Sequence, residues 1–436
     1  MAFRANRRVI QALTKMGLWM AVAVGGNSYL SAQDYNGLPS GVINPPTTYQ
    51  APSGFQGIPE GSEMADASNA VQPTGFFCEM FDEFWNNPAP SEDGCCKGWC
   101  NLGEPWKLSK AKGFDYAGWI EMGYQSHADG AFTSAAEAGK FNLQQLYLYS
   151  AKVADGSEGW DWGYRFDTYY GVDGNEGQSF GNPAGTWDYL NGFDHGIYEI
   201  ALPQAYLEVA HCDLSVKIGH FYTPIGYEVV TSPDNFFLSR QLTFYNSEPF
   251  THTGALGTYK YSDKLSIIGG WTLGWDTGYA QLNQGSNGIS GLVYTYDENT
   301  TITYMNGFGN FGWRGQGMIN SFIFSEKFGD KWQYVSQFDV LGTNTGTNFA
   351  ATGIADNSTG WINYLFYSFN DCLKFGYRTE WYKATGTSYY TNTWGLNYRP
   401  HPNLVFRPEI RYNNSPGDPN PTFNHIIYGI DAIAKF

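Results

Sequence analysis

Charge is what this 436-residue sequence has least of: only 15% of its residues are Asp, Glu, Lys or Arg, against about 25% in an average soluble domain. Long apolar runs are missing too. No stretch reaches the roughly 18 apolar residues that a membrane-spanning helix requires, which excludes a helical membrane protein. Basic residues are outnumbered 25 to 41, for a net charge of −16, so nucleic acid is not an expected partner. Phosphate-cradling glycine loops are absent as well. "GVDGNEG" at 171–177 places Asp173, Asn175 and Glu176 together but lacks the twelve-residue ligand pattern of a calcium loop. The six cysteines do not form paired C-x2-C knuckles. No cofactor and no metal are expected.

What is present points elsewhere. Aromatics make up 18% and there are 53 glycines, a composition suited to short strands and tight turns. The N-terminus is distinct: Arg4, Arg7, Arg8 and Lys15 precede "MGLWMAVAVGG" and the small residues of "SYLSAQ". That order is the signature of a cleavable secretory signal peptide over 1–33. Residues 34–75, rich in Pro, Gly, Ser and Asn without periodicity, read as a flexible leader. Residues 76–112 hold Cys78, Cys95, Cys96 and Cys100, which export would allow to form disulfides. Cys212 and Cys372 fall in short turns on opposite sides of the proposed architecture, too far apart to bridge each other. Each is therefore either free or bonded to the N-terminal cluster.

From residue 113 to 436 one pattern repeats. In "WDWGYRFDTYYGVD", Trp160, Trp162, Tyr164, Phe166 and Tyr170 share one face, opposite Asp161, Gly163, Arg165 and Asp167. In "LKFGYRTEW", Leu373, Phe375, Tyr377 and Trp381 oppose Lys374, Gly376, Arg378 and Glu380. About sixteen such segments begin near residues 113, 141, 160, 198, 213, 250, 264, 288, 300, 318, 331, 359, 371, 389, 403 and 422. Connections after even-numbered segments are short, such as "HCD", "YSDK" and "DENT". Those after odd-numbered segments tend to be longer, although three of them are not. Sorting of loop length by parity has no purpose in a soluble sandwich, whereas an outer-membrane barrel has short turns at one end and long loops at the other. The expected fold is therefore all-β: a transmembrane antiparallel β-barrel of about sixteen strands after a disordered N-terminal leader. The many Trp and Tyr on its apolar faces suit the two bilayer interfaces.

The final segment, "FNHIIYGIDAIAKF", places Ile426, Tyr428, Ile430, Ala432, Ala434 and Phe436 on one face and ends on Phe436. Phe436 is the candidate signal for outer-membrane assembly machinery. Together with "KIGHFYTPIGYEVVTSPDNFFLSRQLTFYNSEPFTHTGALGTY" at 217–259, these features resemble the OmpL-like family of outer-membrane β-barrel porins over roughly 113–436. The resemblance implies a pore for passive diffusion of small hydrophilic solutes and ions. Its partners would be outer-membrane lipids and those solutes, with a homotrimer as the implied assembly. Two other readings stay open: a surface or structural barrel with little transport, and an outer-membrane hydrolase.

The third long connection, 224–249, is the stretch from which a site would be built. In sixteen-stranded general porins the third loop folds inward, and the resemblance implies the same here; the alternative is an external cap over the mouth. An inward loop needs apolar residues to meet the wall and charges to meet the water column. Phe236, Phe237, Leu238, Phe244, Tyr245 and Phe250 supply the first, and Asp234, Arg240 and Glu248 are the candidate constriction charges. Candidate wall charges are Arg165, Asp167, Lys374, Arg378, Glu380, Arg407, Glu409 and Arg411, which would either line the pore or brace the barrel as salt bridges. Ser239, His252 and Asp234 have the residue types of a catalytic triad but no nucleophile-elbow context. No catalytic residue is expected.

Overall fold

A computed structural model describes residues 109–111, 114–191, 193–345, 355–418 and 423–436. The segments expected at 1–33, 34–75 and 76–112 lie outside the described residues, apart from a three-residue strand, β1 (Ser109–Ala111), which pairs with the start of the next strand. Sixteen longer strands follow. They are β2 (Phe114–Gln125), β3 (Phe141–Lys152), β4 (Trp160–Gly171), β5 (Glu199–His211), β6 (Leu214–Tyr222), β7 (Thr251–Ser262), β8 (Leu265–Thr272) and β9 (Ser286–Asp297). Then come β10 (Thr300–Asn310), β11 (Gln316–Phe328), β12 (Trp332–Thr343), β13 (Asn357–Ser368), β14 (Leu373–Ala384), β15 (Thr387–His401), β16 (Leu404–Asn414) and β17 (Ile426–Lys435). Each pairs antiparallel with its neighbours in sequence.

β17 pairs back to β2, from Gly429 opposite Gln125 to Lys435 opposite Trp119, and closes the sheet. Phe436 extends this seam: its N–H donates to Gly118 O and its carbonyl accepts from Gly118 N–H, both at 2.9 Å. Closure removes the unpaired edges that no strand could leave in a bilayer. The sixteen-stranded barrel is thus the fold. Fifteen strands begin within two residues of their expected starts. The exception is β17, which starts at Ile426 rather than near 422. The segment before it carries Pro416, Pro419 and Pro421, whose nitrogens cannot donate to a ladder.

Loop lengths sort by end as expected. Turns such as 212–213, 263–264, 298–299 and 402–403 lie at one end, and connections 126–140, 172–198, 223–250 and 273–285 at the other. Two short helices sit in long connections: α1 (Gly174–Gly177) and α2 (Leu242–Ser247).

Alternation sets the two faces. Ile120, Leu148, Trp162, Phe166, Leu207, Ile218, Trp271 and Ile430 are exposed large apolar side chains, which in water would be a liability and in lipid are the required surface. The opposite faces bury four apolar clusters. The β6–β7 connection contributes to all four. Val229, Val230, Phe244 and Phe250 belong to the first, Ile225 to the second, Leu242 to the third and Phe237 to the fourth. A single segment that meets every sector of the inner wall must cross the barrel.

Candidate pore constriction

The connection between β6 and β7 lies inside the barrel, not over its mouth, which decides between the two placements expected for it. Glycines on the inner wall make room for it. A Cβ at Gly360 of β13 would collide with the side chain of Thr243, and one at Gly376 of β14 with the ring of Phe236. One at Gly395 of β15 would lie 3.0 Å from the ring of Phe237. Three adjacent strands thus lack a side chain where the loop approaches.

Polar bonds fasten the loop to the wall. An irregular segment carries N–H and C=O groups that must find partners once water is excluded, and inward-facing charges of β14 and β16 supply them. Glu380 accepts from the N–H of Leu242 at 2.8 Å, the N–H of Thr243 at 2.7 Å and the Thr243 hydroxyl at 2.8 Å. These are free donors at the start of α2, where a carboxylate also meets the positive end of the helix. Glu409 accepts from the N–H of Leu238 at 3.0 Å and of Ser239 at 3.2 Å.

The arginines do the converse. Arg378 pairs with Glu228 of the loop at 2.5 Å, and donates to the Ser239 carbonyl at 2.8 Å and its hydroxyl at 2.9 Å. Arg407 donates to the carbonyls of Ser232 at 2.8 Å and Asn235 at 2.7 Å, while pairing with Asp431 at 2.5 Å and Glu121 at 3.0 Å. Arg411 donates to the Arg240 carbonyl at 2.5 Å. On the far side Gln145 of β3 donates to Val230 O at 2.7 Å, and Gln337 of β12 donates to Glu248 at 2.6 Å.

These contacts correct the expected roles of several residues. Arg240 is 1% exposed and presents no charge to a water column. Its guanidinium donates to the carbonyls of Val229 at 3.1 Å and Leu238 at 2.8 Å and to Ser232 Oγ at 3.2 Å, stapling the loop to itself, and it lies over the Phe132 ring. Glu248 is buried as well. Burial, with Asp339 beside it, holds its carboxyl well above the usual range. On the wall, Asp167, Arg378, Glu380, Arg407, Glu409 and Arg411 are all buried, and the last five face the loop rather than water. The reason is complementarity: alternation fixes which face a charge takes, but a loop backbone reaches that face before water does.

Three of the expected charges do reach water. Asp234 is exposed, with the Thr231 hydroxyl donating to it at 2.7 Å, on the side of the loop that faces Lys435 at the short-turn end. Arg165 is half-buried, paired with Asp167 at 2.8 Å and lying over the Tyr149 ring. Lys374 is half-buried at the short-turn mouth, within electrostatic reach of Lys327, Arg399 and Asp371.

Glu121 of β2 also sits buried on the inner face. Glu228, Asp431, Gln145, Gly360 and Gly395 carry as much of the arrangement as the expected residues and are not among the sequence expectations. Asp431 and Gly376 were visible as inward positions of alternating strands. Glu228 had no such signal.

The triad types do not meet. Ser239 Oγ accepts from Arg378, and His252 is engaged by Thr223 Oγ1 at 2.8 Å and the Gly274 carbonyl at 3.1 Å. Asp234 is exposed, away from both. His252 is fully buried with both ring nitrogens engaged, so its role is structural. The cysteines also resolve in part. Cys212 is a free, exposed thiol, while Cys372 is disulfide-bonded. Its partner is therefore outside the described residues, where Cys78, Cys95, Cys96 and Cys100 are found.

A closed sixteen-stranded barrel with a lipid-facing apolar surface and an inward loop between its fifth and sixth spanning strands defines an outer-membrane porin, a channel for passive diffusion. The family comparison agrees. Residues 113–436 match the family described as "Putative beta-barrel porin-2, OmpL-like", and the chain belongs to it. Among solved structures, the outer membrane channel DcaP of Acinetobacter baumannii is 11% identical, with 76% of this chain and 100% of that one covered at a TM-score of 0.51. The anion-selective porin from Comamonas acidovorans is 8% identical, with 74% and 99% covered at a TM-score of 0.49. Likeness at such identities concerns the fold. Among curated proteins, no sequence matches.

Proposed function

We propose that this porin passes small hydrophilic solutes and ions through a lumen that the β6–β7 loop keeps narrow, the packed arrangement being its low-conducting state. The observation that carries this is the loop's membership of all four inner clusters. Asp234 and the wall charges at the short-turn end are the ones left to act on solutes. Lys327, Lys374, Arg399 and Lys435 lie there on inward positions of β11, β14, β15 and β17. Such a basic mouth concentrates anions.

Stepwise currents from the purified full-length protein in planar bilayers test the reading. Small, flickering steps with a reversal potential favouring anions in a salt gradient are expected, and Lys374→Glu should move that potential toward cations. The filled cross-section also suits the second reading, a surface barrel with little transport. Complete absence of steps, in the native protein and in the loop-loosened variant described below, would favour that reading.

Residues 1–33 would direct export and be removed, which the N-terminal sequence of the mature protein tests. The four N-terminal cysteines would form a cross-linked element at the short-turn mouth, and Phe436 would be read by the assembly machinery. A homotrimer in outer-membrane lipid is the assembly implied by the porin resemblance.

A further inference from the structure

At the long-loop end, two histidines meet across the seam that closes the barrel. His127 follows β2, and His425 precedes β17. Their ring centres are 4.9 Å apart with the planes inclined at 45°. His127 is exposed and His425 half-buried. We propose that this pair binds a divalent late first-row transition ion, with water completing the coordination.

Three features carry the assignment. The first is tautomer control. His425 Nε2 lies 3.2 Å from the Ala128 carbonyl, which can only accept. The neutral ring must therefore carry its proton on Nε2 and keep the lone pair on Nδ1. His127 Nδ1 is 3.1 Å from Ser126 Oγ, which leaves Nε2 as its ligand nitrogen when Nδ1–H donates. Metal-binding histidines are held in this way, with one ring nitrogen donating to a protein oxygen and the other facing the ion.

The second feature is spacing. With an ion ~2.1 Å from each nitrogen, each ring centre lies roughly 3.2 Å from it. The observed 4.9 Å separation then subtends an angle of about 100° at the ion, between the cis angle of a square or octahedral site and that of a tetrahedron.

The third is anchoring. Tyr428 N–H donates to Ser126 Oγ at 3.0 Å, and Ser126 N–H donates to Tyr428 O at 2.9 Å, so the segment bearing His127 is fixed to the strand that bears His425. Among the described residues no group of three or more His, Cys, Asp or Glu side chains could hold a metal, so this is a two-ligand site. Imidazole pairs without thiolate or carboxylate suit Zn²⁺, Ni²⁺ and Cu²⁺ over Mg²⁺ or Ca²⁺. An ion held there would join the first long loop to the last across the closing seam.

Copper(II) spectroscopy on the folded, detergent-solubilised full-length protein tests this. One equivalent of Cu²⁺ should give an electron paramagnetic resonance signal split by two imidazole nitrogens. His127→Ala and His425→Ala should each remove one nitrogen and weaken Zn²⁺ binding at least tenfold. His211→Ala, at a half-buried histidine of the short-turn end, should leave both readouts unchanged. Added Zn²⁺ should raise the melting temperature of the native protein and of neither seam variant. Either seam variant keeping the two-nitrogen signal and native Zn²⁺ affinity would overturn the assignment, as would a native spectrum without two-nitrogen splitting.

Discussion

Arg378 is the sharpest test of how the loop is held. It is fully buried, and it donates to a loop carboxylate, a loop carbonyl and a loop hydroxyl, with the Thr393 hydroxyl of β15 as its wall partner. Arg378→Met keeps much of the side-chain volume but leaves Glu228 charged without its partner. Breaking a buried pair in this way costs about 3–5 kcal/mol, and stranding the Ser239 carbonyl adds roughly 1 kcal/mol. The cost falls on the packed state, because displacing the adjoining segment Thr231–Gln241 lets lumen water reach Glu228, which stays with the anchored end of the loop. At ~1.4 kcal/mol per factor of ten, a shift of even 3 kcal/mol raises the displaced population on the order of a hundredfold.

The assay is single-channel recording, with heat-modifiable migration on gels as the check that the barrel has closed. Arg378→Met should show larger or longer-lived conducting steps than the native protein. Glu228→Gln with Arg378→Met removes both charges together and should return most of the way to native behaviour, since uncharged replacement of both partners is far cheaper than removal of one. The double-mutant cycle should give a coupling of roughly 2–3 kcal/mol. Folded Arg378→Met barrels with native conductance and native open probability would refute the idea that this pair holds a movable segment.

Two further outcomes follow from the same structure. Mass mapping of the unreduced protein should find Cys372 linked to one of Cys78, Cys95, Cys96 or Cys100, and Cys212 unlinked to it; a Cys212–Cys372 bond would contradict the strand placement. Asp276, in the β8–β9 connection, accepts from the N–H groups of Phe250 and Thr251 at 2.5 and 3.0 Å, and burial raises it to about 7. The folded state therefore binds more protons than the unfolded one between about pH 4 and 7, and the stability Asp276 contributes is lost as pH rises through 7, on the order of a few kcal/mol. Burial also raises Asp173 to about 7, which adds a slope of the same sign. Melting of the native protein in detergent should thus weaken from pH 5 to 8 more than that of Asp276→Asn; equal slopes would show that Asp276 does not titrate in this way.

Strand positions were legible because they depend on short-range rules. Alternation in "WDWGYRFDTYYG" and "LKFGYRTEW" gave the faces, and parity of loop length gave the ends. The charges on β14 and β16 were legible as inward-facing for the same reason. Their occupants were not. Nothing in the sequence around Arg407 says that its guanidinium meets the carbonyls of Ser232 and Asn235, 175 and 172 residues away. Arg240 shows the limit most clearly: a charged residue in an inward loop reads as a filter, yet here the loop curls around it and takes its donors with the loop's own carbonyls and the Ser232 hydroxyl. The wall glycines were readable as glycines, but that Gly360, Gly376 and Gly395 form one recess depends on strand register.

Energetics constrain how such a loop could move. Its buried apolar side chains include Ile225, Val229, Val230, Phe237, Leu238, Leu242, Phe244 and Phe250. At about 1.5–3 kcal/mol each, exposing them together would cost more than about 10 kcal/mol, which leaves a withdrawn loop populated below one part in about 10⁷. Passage by wholesale ejection is therefore excluded, and a smaller unit must move. The apolar anchors concentrate at the two ends, Ile225–Val230 and Leu242–Phe250. Between them, Thr231–Gln241 holds only Phe237 and Leu238 of these apolar anchors and is otherwise fastened by polar bonds to Arg407, Glu409, Arg378 and Arg411. Polar groups that leave the wall can exchange protein partners for lumen water, so their release costs far less than exposing a Phe. The same polar bonds that fix the middle of the loop in one register thus make it the cheapest part to displace, and Asp234, the one loop charge already exposed, lies within it.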